Sequence, residues 1–205
     1  KADIKIVHVV SSSKFAVKAQ EAGCDAVVAE GFEAGGHNGR EETTTMVLIP
    51  AICKVVTIPV IAAGGIATGR QMLAAMVLGA EGVQIGSRFV ASEEASSHPL
   101  FKDMVVNAKE GDTQLSLKAL TPVRLLKNNF YNQIIEAEKK AVAIEELQKL
   151  LGRGRAKRGM FEGNLDEGEL EIGQVSALID EIKPAAEIVK EIYTSYEEAL
   201  RNPVK

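Results

Sequence analysis

The feature that most constrains this chain is the regular alternation of short apolar runs with helical stretches over its first ninety residues. Ile4-Lys5-Ile6-Val7-His8-Val9-Val10 is followed by a helical pattern over 13–22 and then by Ala26-Val27-Val28-Ala29. A second helical pattern over 44–56 leads to Ile58-Pro59-Val60-Ile61-Ala62-Ala63, and a third over 69–78 leads to Gly82-Val83-Gln84-Ile85-Gly86. Apolar strands separated by helices indicate buried parallel strands in βα units. The motifs Ala22-Gly23-Cys24-Asp25-Ala26 and Leu78-Gly79-Ala80-Glu81-Gly82 each end a helix at a glycine and lead directly into the next strand. Repetition of that device favours a barrel over an irregular α+β fold.

From about residue 92 the strand pattern stops, and polar helical or irregular segments run through Asn128-Asn129 and Gly152-Arg153-Gly154-Arg155-Ala156-Lys157-Arg158. Residues 92–170 are expected to form a cap or lid. Residues 171–205 read as helices that pack back on the barrel, with Ile172, Val175, Leu178, Ile179 and Ile182 on one apolar face before Pro184 interrupts it. Residues 1–91 would then be the barrel portion. They hold four strands, whereas a closed barrel of this kind needs eight. The expected fold is α/β, the C-terminal half (strands 5 to 8) of a (β/α)₈ TIM barrel with a helical region after it. Half a barrel leaves two open edges and lacks half of its core, so such a fragment is expected to be unstable alone unless a longer polypeptide or a partner supplies the rest.

Composition narrows the function. With 46% hydrophobic and 25% charged content in 205 residues, the chain can bury a core. A net charge of -4 provides no basic field of the kind nucleic acid requires. Cys24 and Cys53 form neither a CxxC nor a Cys/His metal spacing and read as buried free thiols in a reducing compartment. No apolar run approaches the ~20 residues needed to cross a bilayer, and the N-terminus carries no signal pattern. The expectation is a cytoplasmic protein with neither nucleic-acid nor membrane partners.

Chemistry in a parallel barrel gathers at the C-terminal ends of its strands, and three such ends here are rich in glycine. The first is Ala29-Glu30-Gly31-Phe32-Glu33-Ala34-Gly35-Gly36-His37-Asn38-Gly39. Its glycines let backbone approach a flat ligand closely, and His37 offers an imidazole able to exchange a proton near neutral pH. The same composition would also serve a flexible surface loop with an incidental histidine. The second end is Ala62-Ala63-Gly64-Gly65-Ile66-Ala67-Thr68-Gly69, and the third is Gln84-Ile85-Gly86-Ser87-Arg88-Phe89. They would follow strands seven and eight, where barrels often bind phosphate through backbone N–H groups. A glycine pair after a strand can also simply make a tight turn. Neither GxGxxG nor the Walker pattern GxxxxGK[ST] occurs. The basic run 153–158 reads as a solvated loop or as an anion site, to which Arg124 and Lys127 could contribute. His8 reads as a strand residue and His98, before Pro99, as a helix boundary.

The stretches Glu30-Gly-Phe-Glu-Ala-Gly-Gly-His-Asn-Gly39, Ile58-Pro-Val-Ile-Ala-Ala-Gly-Gly-Ile-Ala67 and Gly79-Ala-Glu-Gly-Val-Gln-Ile-Gly-Ser-Arg-Phe89, with His98-Pro99, residues 163–168 and Gly173-Gln174, resemble one flavin family. It is the family of the FMN-dependent enoyl-[acyl-carrier-protein] reductases of type II and the nitronate monooxygenases. The resemblance covers nearly the whole chain and implies FMN as cofactor. By motif, Glu30 and Gly35 would border the flavin, Ala63, Gly64 and Gly65 would lie at its ribityl phosphate, and Gln84, Ile85, Gly86 and Ser87 would complete the phosphate site. His37 would be the catalytic histidine. Many relatives carry Gln where this chain has Glu30 and Thr where it has Ser87. A carboxylate beside a flavin disfavours the anionic reduced form unless it is paired or protonated. Some reductases share that Glu, so the resemblance points first to reduction of trans-2-enoyl thioesters on acyl carrier protein with NAD(P)H. The alternatives are oxidation of nitronates with O₂ and a non-catalytic flavin- or phosphate-binding module. A homodimer is compatible with all three.

Overall fold

The computed structural model describes residues 4–204. In chain order, β1 (Val7–Val10), α1 (Ser13–Glu21) and β2 (Ala26–Glu30) come first, followed by the two-residue β3 (Gly36–His37). Next are α2 (Thr45–Cys53), β4 (Val60–Ala63), α3 (Gly69–Val77) and β5 (Gly82–Gln84). After α4 (Ser87–Val90) and α5 (Pro99–Val106), β6 (Thr113–Ser116) and β7 (Val123–Leu126) precede α6 (Asn129–Lys139) and α7 (Ile144–Leu151). A π-helical turn at Lys157–Phe161, a 3₁₀ turn at Gln174–Leu178 and α8 (Ala185–Arg201) complete the chain. These elements sort into two compact units: the first holds residues 4–33, 41–86 and 189–204, and the second 34–40 and 87–188.

The first unit is built on a parallel sheet in the order β1-β2-β4-β5, with the helices the apolar pattern predicts at nearly the expected bounds. Val27 pairs with Val60 and Ala29 with Ala62, so these four share a sheet face. They pack with Leu48, Ile49 and Ile52 of α2 and with Ala16, Ala19 and Ala75 in one apolar core. Burying Leu48, Ile49 and Ile52 contributes about 2 kcal/mol each. Both predicted glycine stops form. Gly23 (φ +90°) and Gly79 (φ +111°) are left-handed, and the amides of Cys24 and Ala80 reach back to the carbonyls of Ala19 and Ala75, closing α1 and α3 by Schellman bonds. Thr68 and Gln71 cap the start of α3 reciprocally. β1 and β5 are the sheet's two edges. On β1, Val7 and Val9 are about half exposed, at 49% and 47%. Cys24 and Cys53 are free thiols, half-buried rather than fully buried.

The second unit departs from the sequence reading, because strands do not stop at residue 92. β3, β7 and β6 form an antiparallel sheet in that order. Its strands were hidden by their brevity and by Arg124, a charged residue at mid-strand that is nonetheless 1% exposed and donates to Thr113 Oγ1 at 3.3 Å. Arg124 is therefore enclosed within the sheet rather than available to a surface anion. The helix expected before Pro184 is reduced to the 3₁₀ turn at Gln174–Leu178. Ile179 is extended, and Ser92 and Lys183 are bridged in parallel. Pro184 directly precedes α8, where proline suits a helix start. In the basic run, Arg155 stacks over the Phe130 ring at 4.4 Å and donates to the carbonyls of Leu150, Leu151 and Glu167. It is a structural cation, while Arg153, Lys157 and Arg158 are exposed. His98 caps α5, its Nδ1 accepting from the Leu100 amide at 3.2 Å.

The contact between α3 and α8 yields a direct test. A methyl group at Gly69 would collide with the α8 backbone at Ile192, Ser195 and Tyr196. Gly69→Ala should cost about 1–3 kcal/mol, as overpacking does, and lower the thermal midpoint by several degrees. Arg70→Ala, one exposed residue along, should leave the midpoint nearly unchanged.

Candidate functional site

Parallel register aligns the strand ends of the first unit. Glu30 pairs with Ala63, and Ala63 pairs with Gln84, so three expected site residues stand in one row across β2, β4 and β5. Paired residues project to the same face, and this row projects away from the face that Val27, Ala29, Val60 and Ala62 turn toward the helices. Just beyond the row the backbone is bare. Gly64 (φ +88°) and Gly65 (φ +70°) are both left-handed, a conformation that excludes branched side chains. At Gly86 a Cβ would meet no atom of the described residues within 4 Å beyond its chain neighbours. Ile85 is half-buried beside it.

Two residues that the sequence reading did not single out fix this turn. The buried Thr45 hydroxyl donates to the Gly64 carbonyl at 2.9 Å. Glu33 accepts from the Thr45 amide at 2.9 Å, and its Cβ lies 3.3 Å from where a Gly65 side chain would begin. Thr45 opens α2, so the glycine turn is tied to a helix end. A threonine just after Thr43-Thr44 looks only like a helix start, and nothing local in the sequence links it to Gly64. Glu30 is half-buried, and that burial raises its carboxyl above the ordinary range, which favours the neutral acid. The absence of side chains at Gly64, Gly65 and Gly86, the open space at Gly86 and the capped start of α3 that follows Gly65 fit a phosphate-bearing flavin.

The second unit carries the histidine. His37 pairs with Val123 of β7, and Asn38 holds the turn around it: its amide donates to Pro122 O, and its side chain donates to the carbonyls of Ala34 and Gly36. His37 lines a cavity of about 250 Å³ with Leu117, Val123, Leu151, Arg155, Glu169 and Glu171 among its walls. Glu171 bridges Leu125, two residues along β7 from His37's partner. Burial raises the Glu171 carboxyl, and the charge of His37 pulls it back. Glu169 is pushed up to about 7 by burial first, then by the charge of Glu171, with Arg155 opposing. Gly35 has a packing reason: a side chain there would strike the backbone of Ile172 and Gly173. Ser87 Oγ accepts from the Gly173 amide at 3.0 Å, which leaves its own hydrogen to donate.

Comparison with known proteins identifies the class. Residues 1–195 match the family described as nitronate monooxygenase, and the chain belongs to that family. A curated protein named "Probable nitronate monooxygenase" from Staphylococcus aureus (strain JH9) is 42% identical over 147 residues, covering 67% of this chain and 41% of that protein. The chain thus spans less than half the length of the curated relatives it matches. Among solved structures, FabK from Thermotoga maritima superposes with a TM-score of 0.91 at 43% identity, covering 97% of this chain and 63% of that one. A nitroalkane oxidase from Streptomyces ansochromogenes gives 0.80 at 27% identity, covering 98% and 59%. The α/β fold with its parallel sheet and helical C-terminal region is the fold these enzymes share. Among the described residues, no helix is long and apolar enough to cross a membrane.

The raised Glu169 carboxyl has a consequence for stability. Its folded value, about 7, exceeds the ordinary 4.5, so as pH rises between these values the unfolded chain ionises first. Stability should therefore fall across that window, by on the order of 2 kcal/mol, and level off above it. Glu169→Gln should remove that loss, so that the difference between variant and parent in denaturant unfolding grows from pH 5 to pH 8. An equal difference at both pH values would contradict the assignment.

Proposed function

We propose that this chain supplies the phosphate-binding strand ends and the proton-transfer histidine of an FMN-dependent oxidoreductase that reduces trans-2-enoyl thioesters on acyl carrier protein with NAD(P)H. The observation that carries the reading is the row of Glu30, Ala63 and Gln84 with left-handed glycine immediately after it. Gly64, Gly65 and Gly86 would present backbone amides to the phosphate, with Ile85 beside them, and Ser87 would add a hydroxyl donor. Gly35 and Glu30 would border the ring system. FMN, when bound, would supply hydride transfer from nicotinamide to the β-carbon of the enoyl group. Burial raises the Glu30 carboxyl toward the neutral form, which would lessen its opposition to negative charge on a reduced ring. His37 would donate toward the thioester oxygen as enolate character develops, and a proton reaching the α-carbon would complete the reduction. The higher identity to FabK than to the nitroalkane oxidase supports the reductase.

Nitronate oxidation is the second reading, favoured by the name of the curated relatives. There His37 would remove a proton from the substrate carbon, and no nicotinamide would be needed. Anaerobic addition of NADPH or NADH separates the two: prompt bleaching of the flavin followed by reoxidation with an enoyl thioester is the reductase result, and no bleaching overturns it. His37→Ala should slow turnover by roughly 10²-fold or more while flavin content is retained, because the phosphate contacts lie on other residues. Flavin loss in proportion to activity loss would contradict this. Gly64→Val and Gly86→Val should each abolish FMN retention in folded protein, the first by opposing its left-handed backbone and the second by filling open space. Normal FMN content in both would displace the phosphate site.

A further inference from the structure

One edge of β7 organises the cavity of the second unit. His37 stands opposite Val123, and Glu171 stands opposite Leu125. Val123 and Leu125 are two apart on one strand and share a face, and paired residues project to the same side. The His37 and Glu171 side chains therefore point to the same face, next to each other along the edge. Gly36 separates them in the pairing register. It is left-handed (φ +76°), and a side chain there would begin 2.5 Å from Glu171 Oε2. The missing side chain is the space into which the carboxylate leans, alongside the residue that carries the imidazole. Both groups line the 250 Å³ cavity.

We infer that Glu171 is a positioning residue for His37: its carboxylate leans into the space at Gly36, on the same face as the imidazole, and offers the imidazolium a negative charge. The inference rests on the assignment of His37 as the proton-transfer group. Other charged groups share the site. Glu169, two residues before Glu171, and Arg155 line the same cavity, and Glu169 and Arg155 oppose each other in charge. Arg40 lies on the neighbouring loop, its guanidinium bonded to the carbonyls of Lys118 and Leu120. Of the two carboxylates, Glu171 is the one that stands on the strand edge beside Gly36 and His37, and its charge and that of His37 favour each other. The proton that His37 offers to the thioester oxygen would then be held on an imidazolium that shares its strand face with a carboxylate.

The test uses the FMN-loaded protein from its complete reading frame. The imidazole resonances are followed by NMR against pH in the parent and in Glu171→Gln, with the His37 signal assigned by its loss in His37→Asn. The titration midpoint of His37 should fall by about half a unit or more when the carboxylate charge is removed, whereas those of His8 and His98 should not move. The alkaline limb of the kcat/KM profile, where the proton donor is lost, should shift the same way, with KM little changed. Glu171→Ser serves if the glutamine variant does not fold, and should give the same shift. An unmoved His37 midpoint in a folded variant overturns the inference whatever the activity. Full turnover by His37→Asn would instead refute the catalytic reading of His37, while the midpoint shift would still decide whether Glu171 and His37 are coupled.

Discussion

Parallel pairing in the order β1-β2-β4-β5 is the constraint on which the first unit depends. Strands that run in the same direction deliver their C-terminal ends to one edge, so Glu30, Ala63 and Gln84 meet in a row although they are far apart in sequence. The row alone would be of little use to a ligand if side chains crowded the backbone beyond it. Glycine at 64, 65 and 86 keeps that backbone accessible, and the Thr45 hydroxyl fixes the turn so that its amides hold one orientation. An anion site needs such rigidity, because donors that must reorganise lose part of their binding energy to ordering.

The second unit solves a different problem with a different sheet. The strand of Gly36 and His37 is only two residues long, and by itself it would not be ordered. Pairing with β7, the Asn38 hydrogen bonds and the packing of Gly35 against the 172–173 backbone hold it. The result sets an imidazole in a half-apolar cavity among two carboxylates and Arg155. Burial raises both carboxyls, Glu169 to about 7, while the charge of His37 pulls Glu171 back, so Glu169 exchanges its proton near neutral pH. That is an arrangement suited to proton transfer.

Much of the first unit was legible in the sequence because its signals are local. Apolar runs such as Ala26-Val27-Val28-Ala29 announce buried strands, and Gly23 and Gly79 announce helix ends, as the Schellman bonds confirm. The glycine turn after β4 was legible for the same reason. β6 and β7 were not, since four-residue strands carrying Gln114 or Arg124 show no clear alternation and depend on pairing with distant residues. Arg155 looked like part of a solvated run because its stacking partner, Phe130, lies well before it in sequence. Glu171 and Thr45 escaped notice because their significance lies in what they face across the fold, and neither type nor spacing reveals that.

The central claim is that these strand ends hold FMN. The most direct test is the visible absorption spectrum of protein purified from expression of its complete reading frame, with the cofactor released by denaturation and identified. The account predicts the flavin absorption bands and about one FMN per chain. A folded, colourless protein that takes up no FMN when it is supplied would contradict it.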